Sequence, residues 1–306
     1  MLYYIKNMLR GLIIRTQSGF YTVETEEGNW TCELRGRLKK GPRVGDVAAV
    51  GDWVQVTATE SGKGVIEWIE PRTHCFSRLA PNPKGAYQQI LIANPDQVVL
   101  VFSCAHPAPH VGMIDRFLVI AEKQGLPVLI LANKLDLVAD AEAESVFGHY
   151  PQLGYAVIYT STKTGQGVED VRDRLAGKIS LLAGPSGVGK SSLLNLIQPG
   201  LGLAVRQVSR ATSKGRHTTV VRELFPLETG GYVADTPGLK ALALWDIEPE
   251  ELDGYFPELR DLVHQCQFND CTHRHEPGCA VLAAVSAGQV HPERYQSYIR
   301  MRFGEE

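Results

Sequence analysis

The chain has 306 residues, with 31 Lys plus Arg against 34 Asp plus Glu and a net charge of −3. At roughly 100 to 200 residues per domain this length predicts two or three domains, and the near balance of charge excludes a generally basic nucleic-acid coat, so any RNA contact must come from local patches. No stretch approaches the ~20 apolar residues that cross a bilayer, and the opening MLYYIKNMLR lacks the sustained apolar run of a secretory signal. A cytoplasmic protein without membrane contact is expected, in which six cysteines stay reduced and grouped thiols point to metal rather than disulfides.

From Gly11 to Pro71 the text is short and strand-like: GLIIRT, GFYTVET, WTCELRG, DWVQVTA and GVIEWIE, separated by Gly, Asn, Asp and Ser. Runs of this kind predict a small barrel, the oligonucleotide-binding (OB) type being the commonest five-stranded one and an SH3-like barrel the alternative. Between the third and fourth runs, Arg35-Gly36-Arg37-Leu38-Lys39-Lys40-Gly41-Pro42-Arg43 is either a solvated basic turn or an RNA contact.

After Pro71 apolar runs alternate with amphipathic stretches, the βα pattern of a parallel sheet. The predicted strands are DQVVLVFS, PVLILAN, GYAVIYTS, KISLLAG and GGYVADT; helices are predicted over 112–123, 139–148, 167–176 and 190–197. Beyond Leu239 the strands stop and helical, Pro-punctuated text takes over, interrupted by a Cys/His cluster. Whether the last helical segment, HPERYQSYIRMR, lies on RNA or packs on the α/β domain is open at this level.

The motifs fall at strand ends, where an open α/β sheet holds its ligand. KISLLA leads into Gly184-Pro185-Ser186-Gly187-Val188-Gly189-Lys190-Ser191, followed by Ser192 and the helix SLLNLI. Glycines let backbone N–H groups curl around phosphate oxygens, Lys190 supplies a point charge, and Ser191 offers its hydroxyl to Mg²⁺. PVLILA leads into Asn133-Lys134-Leu135-Asp136. A carboxylate at Asp136 can accept from both N1–H and the exocyclic amine of guanine, and adenine would leave one of those pairings unmade. Thr160-Ser161-Thr162-Lys163 after GYAVIY resembles the further guanine-contacting loop, adding Ser161, Thr162 and Lys163 to the GTP site. Asp235-Thr236-Pro237-Gly238 follows the strand GYVA, where Asp235 can hold Mg²⁺ through water and the Gly238 N–H can sense the γ-phosphate. The base-reading motif thus precedes the phosphate loop, the reverse of the order in Ras-like GTPases, which is the mark of a circularly permuted GTPase.

The polar segment 206–220 ends in Gly215-Arg216-His217-Thr218-Thr219 and reads as a switch loop in which Thr218 or Thr219 is a magnesium ligand. Leu239 stands where Ras-like enzymes carry a glutamine that orients the attacking water, and a leucine cannot do so. His217 is the nearest donor or acceptor in sequence and the candidate catalytic residue beside Lys190. Cys266-x4-Cys271-x-His273-x5-Cys279 offers three thiolates and one imidazole, a closed tetrahedral set for one structural Zn²⁺, with His264 and His275 as competing nitrogen donors. Cys32, Cys75 and Cys104 are expected to be small buried hydrophobes.

The barrel, the permuted motif order and the Cys-x4-Cys-x-His-x5-Cys spacing together resemble the ribosome small-subunit-dependent GTPase A family over essentially the whole chain. The resemblance implies a late-acting assembly factor that binds the small (30S) ribosomal subunit and its rRNA near the decoding region, is stimulated by it, and leaves on hydrolysing GTP to GDP. It places the catalytic histidine on His217, guanine contacts on Asn133 to Asp136, phosphate contacts on Gly184 to Ser192, and zinc on Cys266, Cys271, His273 and Cys279. The expected layout is an OB-like RNA-binding barrel over 1–73, a circularly permuted α/β P-loop GTPase domain over 74–241 and a mostly helical zinc-binding domain over 242–306, acting as a monomer. A GTP-binding RNA scaffold or a GTPase serving a protein partner, with incidental turnover, is the competing reading that Leu239 keeps open.

Overall fold

The computed structural model describes residues 8–40, 45–79, 87–201, 222–235 and 247–304. Of the residues singled out above, Gly41, Pro42, Arg43, Gly215, Arg216, His217, Thr218, Thr219, Thr236, Pro237, Gly238 and Leu239 lie outside them.

The first five strands are β1 (Met8–Gln17), β2 (Phe20–Thr25), β3 (Gly28–Leu34), β4 (Trp53–Glu60) and β5 (Lys63–Ile69). They pair in the ring β1-β2-β3-β5-β4-β1, with β3 parallel to β5 and the other pairs antiparallel. This closed order is that of the OB barrel, and closure removes the exposed edges that a short open sheet would present. Alternation along each strand turns Ile13, Val23, Cys32, Val54, Val56 and Ile66 inward to form the core. Where β1 crosses its neighbours only glycine fits, since a Cβ on Gly11 would lie 2.5 Å from Val23 and 2.6 Å from the Glu24 carbonyl oxygen.

An antiparallel hairpin, β6 (Cys75–Leu79) and β7 (Gln88–Ala93), follows. Sequence reading missed it because its residues neither alternate cleanly nor form a long apolar run. The hairpin and its lead-in are tied to the barrel by two acids: Arg72 donates to both oxygens of buried Asp52 at 2.7 Å, and Asp46 accepts from the Ile90 N–H at 3.0 Å. Cys75 is only half-buried, unlike Cys32 and Cys104, because it lies on this thin hairpin.

The α/β text then yields β8 (Gln97–Ser103), α1 (Val111–Lys123), β9 (Val128–Asn133), α2 (Asp140–Phe147), β10 (Ala156–Tyr159), α3 (Val168–Leu175), β11 (Lys178–Ala183), α4 (Lys190–Ile197), β12 (Arg222–Pro226) and β13 (Gly231–Asp235). Three further helices follow: α5 (Pro257–Arg260), α6 (Ala280–Ser286) and α7 (Pro292–Phe303). No described helix is long and apolar enough to cross a membrane.

The described residues form two compact units. The first contains the barrel, the β6–β7 hairpin, β11, β12 and β13. Within it β13 runs parallel to β11 and antiparallel to β12, and β12 pairs antiparallel with the end of β1, Arg15 opposite Glu223 and Thr16 opposite Arg222. The Tyr232 hydroxyl donates to the Glu24 carboxylate across the same seam. Strand β12 was not predicted; five residues ending in proline give too weak a pattern.

The second unit contains the parallel strands β8, β9 and β10 with β9 central, the helices α1 and α2, the loop Gly184–Leu193 and the C-terminal helices. Every residue of β8 is buried, which explains its unbroken apolar text. Helix α7 packs on α1, so the segment left open by sequence reading belongs to the protein interior on one side: Tyr298 and Ile299 are buried in a cluster that includes Val119 of α1 and Phe256. Fully buried Arg294 of α7 fastens this packing. It donates to Asp115 of α1 at 2.7 Å and to both oxygens of Glu258 of α5 at 2.6 and 3.1 Å, while Tyr150 donates to the same Asp115 oxygen at 2.9 Å.

Candidate nucleotide site and metal centre

The strand-end loops of the second unit gather around one buried side chain. Asn133, at the end of β9, is fully buried; its amide donates to the Val188 carbonyl oxygen at 2.7 Å and its oxygen accepts from the Thr160 hydroxyl at 3.0 Å. Asn133, predicted as a guanine contact, directs these bonds inward and ties the phosphate loop to the two loops predicted to read the base. The glycines of the phosphate loop are there for space as well as conformation. Gly184 has φ +145° and a Cβ would sit 2.1 Å from the Val101 carbonyl oxygen; Gly189 has φ +101° and a Cβ would sit 2.4 Å from the Asn133 amide nitrogen. Lys190 folds its ammonium over the loop, donating to the carbonyl oxygens of Gly184 and Pro185 at 2.9 Å each.

The two loops predicted to read the base meet at Asp136. One carboxylate oxygen accepts from the Ser161 hydroxyl at 2.6 Å, and the other is 3.9 Å from the Lys163 ammonium. Ser161 in turn accepts from the backbone N–H groups of Lys163 and Thr164 at 3.3 and 3.2 Å, which shapes the 161–164 turn around the acid. In the first unit, Asp235 ends β13 opposite Leu182 of β11. Among the described residues the structure therefore brings Asn133, Asp136, Ser161, Lys163 and the phosphate loop together.

The second constellation is compact. The donor atoms of Cys266, Cys271, His273 and Cys279 all lie within 4.8 Å of one another, and His264 and His275 are not among them. His273 Nδ1 is 3.5 Å from the Cys266 sulfur and 3.4 Å from that of Cys279, and those two sulfurs are 4.0 Å apart. A tetrahedral zinc with bonds of about 2.3 Å to sulfur and about 2.0 Å to nitrogen needs edges of roughly 3.5 to 3.8 Å, so the residues fit that ion. Burial pushes the Cys271 thiol up to about 12 and raises Cys279 as well, so their thiolates would need the countercharge that a cation supplies.

The surrounding residues hold the ligands in place, and sequence reading had no signal for them. His273 Nε2 is 3.2 Å from Asp253, the carboxylate–histidine pairing that fixes which ring nitrogen faces a metal. Glu276 accepts from the backbone N–H groups of Thr272, Arg274 and His275 at 2.9, 3.0 and 3.1 Å, locking the turn in which His273 takes φ +60°. Against the effect of burial, these bonds and that from the Thr272 hydroxyl hold the Glu276 carboxyl well below the usual range. Cys279 caps α6 by accepting from the Leu282 N–H at 3.4 Å.

A phosphate loop downstream of the Asn133-Lys134-Leu135-Asp136 loop, an OB barrel before them and a helical lobe with a Cys3His cluster after them define a circularly permuted P-loop GTPase with two appended modules. Comparison with known families matches the RsgA GTPase model over residues 69–245 and the RsgA N-terminal domain model over 10–66. The chain belongs to the RsgA family. It is 46% identical over 296 residues to a small ribosomal subunit biogenesis GTPase of Gemmatimonas aurantiaca, covering 95% of this chain and 96% of that one. A protein of the same description from Moorella thermoacetica is 43% identical, with 95% of each covered. Among solved structures, YjeQ from Thermotoga maritima aligns at a TM-score of 0.77 with 40% identity, covering 97% of this chain and 98% of that one. YloQ, described as a circularly permuted GTPase, aligns at 0.73 with 34% identity over 98% and 95%.

Proposed function

We propose that this protein is a cytoplasmic, monomeric GTPase that binds the small ribosomal subunit late in its maturation, is stimulated by it, and is released when GTP is hydrolysed. The observation that carries this reading is near full-length similarity to proteins described as small ribosomal subunit biogenesis GTPases, on a chain whose own phosphate loop and guanine loops are joined through Asn133. In the proposed site Gly184 to Ser192 cradle the phosphates, and Asn133, Lys134, Leu135 and Asp136 contact the guanine nucleotide, Asp136 reading the base with Ser161, Thr162 and Lys163 around it. Ser191, Asp235 through water, and Thr218 or Thr219 would hold Mg²⁺, which supplies charge neutralisation at the phosphates. Gly238 meets the γ-phosphate and His217 positions the attacking water in place of the glutamine that Leu239 replaces.

The division into a barrel over 1–73, a GTPase domain over 74–241 and a zinc domain over 242–306 assigns RNA contact to the two flanking modules. Shallow clefts on the barrel support this reading. One is lined by Arg15, Phe20 and Thr31 and another by Phe20, Arg35 and Lys63, and Phe20 is 50% exposed. An exposed ring beside cations is what a stacked base and its phosphates require.

The test is GTP hydrolysis by the zinc-loaded protein alone, with small subunits and with large subunits, ATP being the specificity control. Strong stimulation by small subunits only is the expected result. Tight GTP binding without stimulation would overturn the proposal in favour of a scaffold.

A further inference from the structure

Two neighbouring loops of the second unit each hold a non-glycine residue in the left-handed region: His106 at φ +49° and Lys134 at φ +63°. A single such residue with a side chain costs of order 1 kcal/mol and persists where the surroundings fix it, which makes a pair of them in contact a place to ask what is being held. The contact is direct, because the Lys134 ammonium donates to the His106 carbonyl oxygen. The loop bearing His106 is itself closed by buried Ser103, whose hydroxyl donates to the Pro107 carbonyl oxygen at 2.7 Å. Its first residues lie along the base-reading strand: Ser103 pairs with Asn133, and the Cys104 N–H donates to the Asn133 carbonyl oxygen at 2.7 Å. On the other side of Lys134, the Leu135 N–H donates to the Thr160 carbonyl oxygen at 3.0 Å.

We infer that the loop Ser103–Pro107 is a further element of the nucleotide site, in which Ser103 and the His106 carbonyl position the Lys134 side chain for guanine nucleotides. This rests on the guanine-nucleotide reading of Asn133 to Asp136 proposed above. A lysine has a long flexible stem and three donors, so left free it would lose rotamer entropy each time it met a ligand. Anchoring one donor to a fixed carbonyl removes part of that loss beforehand and leaves two donors for ligand oxygens. Selection of the base stays with Asp136, the residue with the complementary edge; Ser103 and His106 set affinity. Ser103 is thus a positioning residue acting through Lys134.

The test is a double-mutant cycle in the full-length zinc-loaded chain, Ser103→Ala and Lys134→Ala, with Kd for GDP, GTP and inosine diphosphate by titration and thermal unfolding measured alongside. Loss of one buried hydrogen bond is worth a fold-change of about 5. The expected result is that Ser103→Ala weakens GDP and GTP by that factor with the guanine-to-inosine ratio kept, and does nothing in the Lys134→Ala background. Equal losses in both backgrounds would overturn the inference, since Ser103 would then act on the fold and not through Lys134. An unchanged Kd in a stably folded Ser103→Ala protein would overturn it too. Should Ser103→Ala not fold, His106→Gly, which keeps the carbonyl but frees the loop, is expected to give the same non-additive loss, and an additive one refutes it. A wild-type chain that fails to bind guanine nucleotides would sink the underlying reading as well, whereas tight wild-type binding with an additive cycle sinks only this one.

Discussion

Arg294→Met is the most direct test of how the C-terminal helix is held. In the wild type the fully buried guanidinium makes close ion pairs with Asp115 and Glu258 and lies 4.5 Å over the ring of Phe256. Methionine fills much of the space but leaves two buried acids facing each other, a change expected to cost about 3 to 5 kcal/mol. Against a typical total of roughly 5 to 15 kcal/mol this is a large fraction, corresponding to a fall in Tm of roughly 6 to 20 °C. Burial already pushes the Asp115 carboxyl up while Arg294 pulls it down, so without the arginine it gains a proton on folding. An acid with a raised folded pKa favours the folded state at low pH, and that contribution disappears as pH rises through the raised value. The variant should therefore lose more stability at pH 8 than at pH 5. Urea unfolding of wild type and variant at both values is the assay. A loss under about 1 kcal/mol at pH 8, or a deficit larger at pH 5, would refute the placement of Arg294 as the charge that makes the two acids tolerable.

Metal analysis of the purified protein should give about one zinc per chain, and Cys271→Ser should lose it together with helical signal from the C-terminal lobe; full helicity after chelation would count against a structural ion. Gly189→Ala, which drives a Cβ toward the Asn133 amide, should weaken GDP binding at least about tenfold by titration, and an unchanged Kd would mean the loop is not built around that contact. His217→Ala is expected to keep GTP affinity and to lose subunit-stimulated turnover by a factor of roughly 100 or more, while loss of binding instead would assign it a structural role. His149 stacks on His291 with ring centroids 4.3 Å apart, and burial, with the charges of His291 and Arg294, lowers its pKa to about 4. The unfolded chain then binds more protons between pH 6.5 and 4, so stability is lost as pH is lowered through that window. His149→Gln should remove about 1 kcal/mol of that acid-side loss once solvent screening is allowed for, and identical pH profiles would dismiss the effect.

Features set by short-range rules were the ones legible in the sequence. The five barrel strands, the buried run of β8 and the phosphate-loop helix all follow from alternation, apolar length or glycine spacing. The Cys3His set was readable because ligand spacing is itself a chemical constraint. The OB barrel was expected over the SH3-like alternative as the commoner five-stranded type and from the family resemblance; its strand order, with β3 beside β5, leaves no trace in local pattern. The role of Asn133 was half legible. The tetrapeptide predicts a guanine contact, but the inward bonds of Asn133 to Val188 and Thr160 join segments far apart in the chain. Asp253, Glu276 and Arg294 were invisible for the same reason: an acidic or basic residue in polar text reads as solvated until its partners arrive from elsewhere.

The seam between β1 and β12 bears on how the chain is made. Glu24 and Tyr232 are 208 residues apart, and Arg15 must find Glu223. At 5 to 20 residues per second, synthesis of the intervening stretch takes roughly 10 to 40 s, far longer than a small barrel needs to close on its own ladders. During vectorial synthesis the barrel therefore waits, folded, with the backbone groups of Arg15 and Thr16 unpaired on one side until β12 leaves the exit tunnel. An unpaired strand edge is a template for other chains. Nascent fragments stopped before Arg222 should consequently self-associate more readily than those carried past Pro226, and a peptide spanning Arg222 to Pro226 should protect the shorter ones.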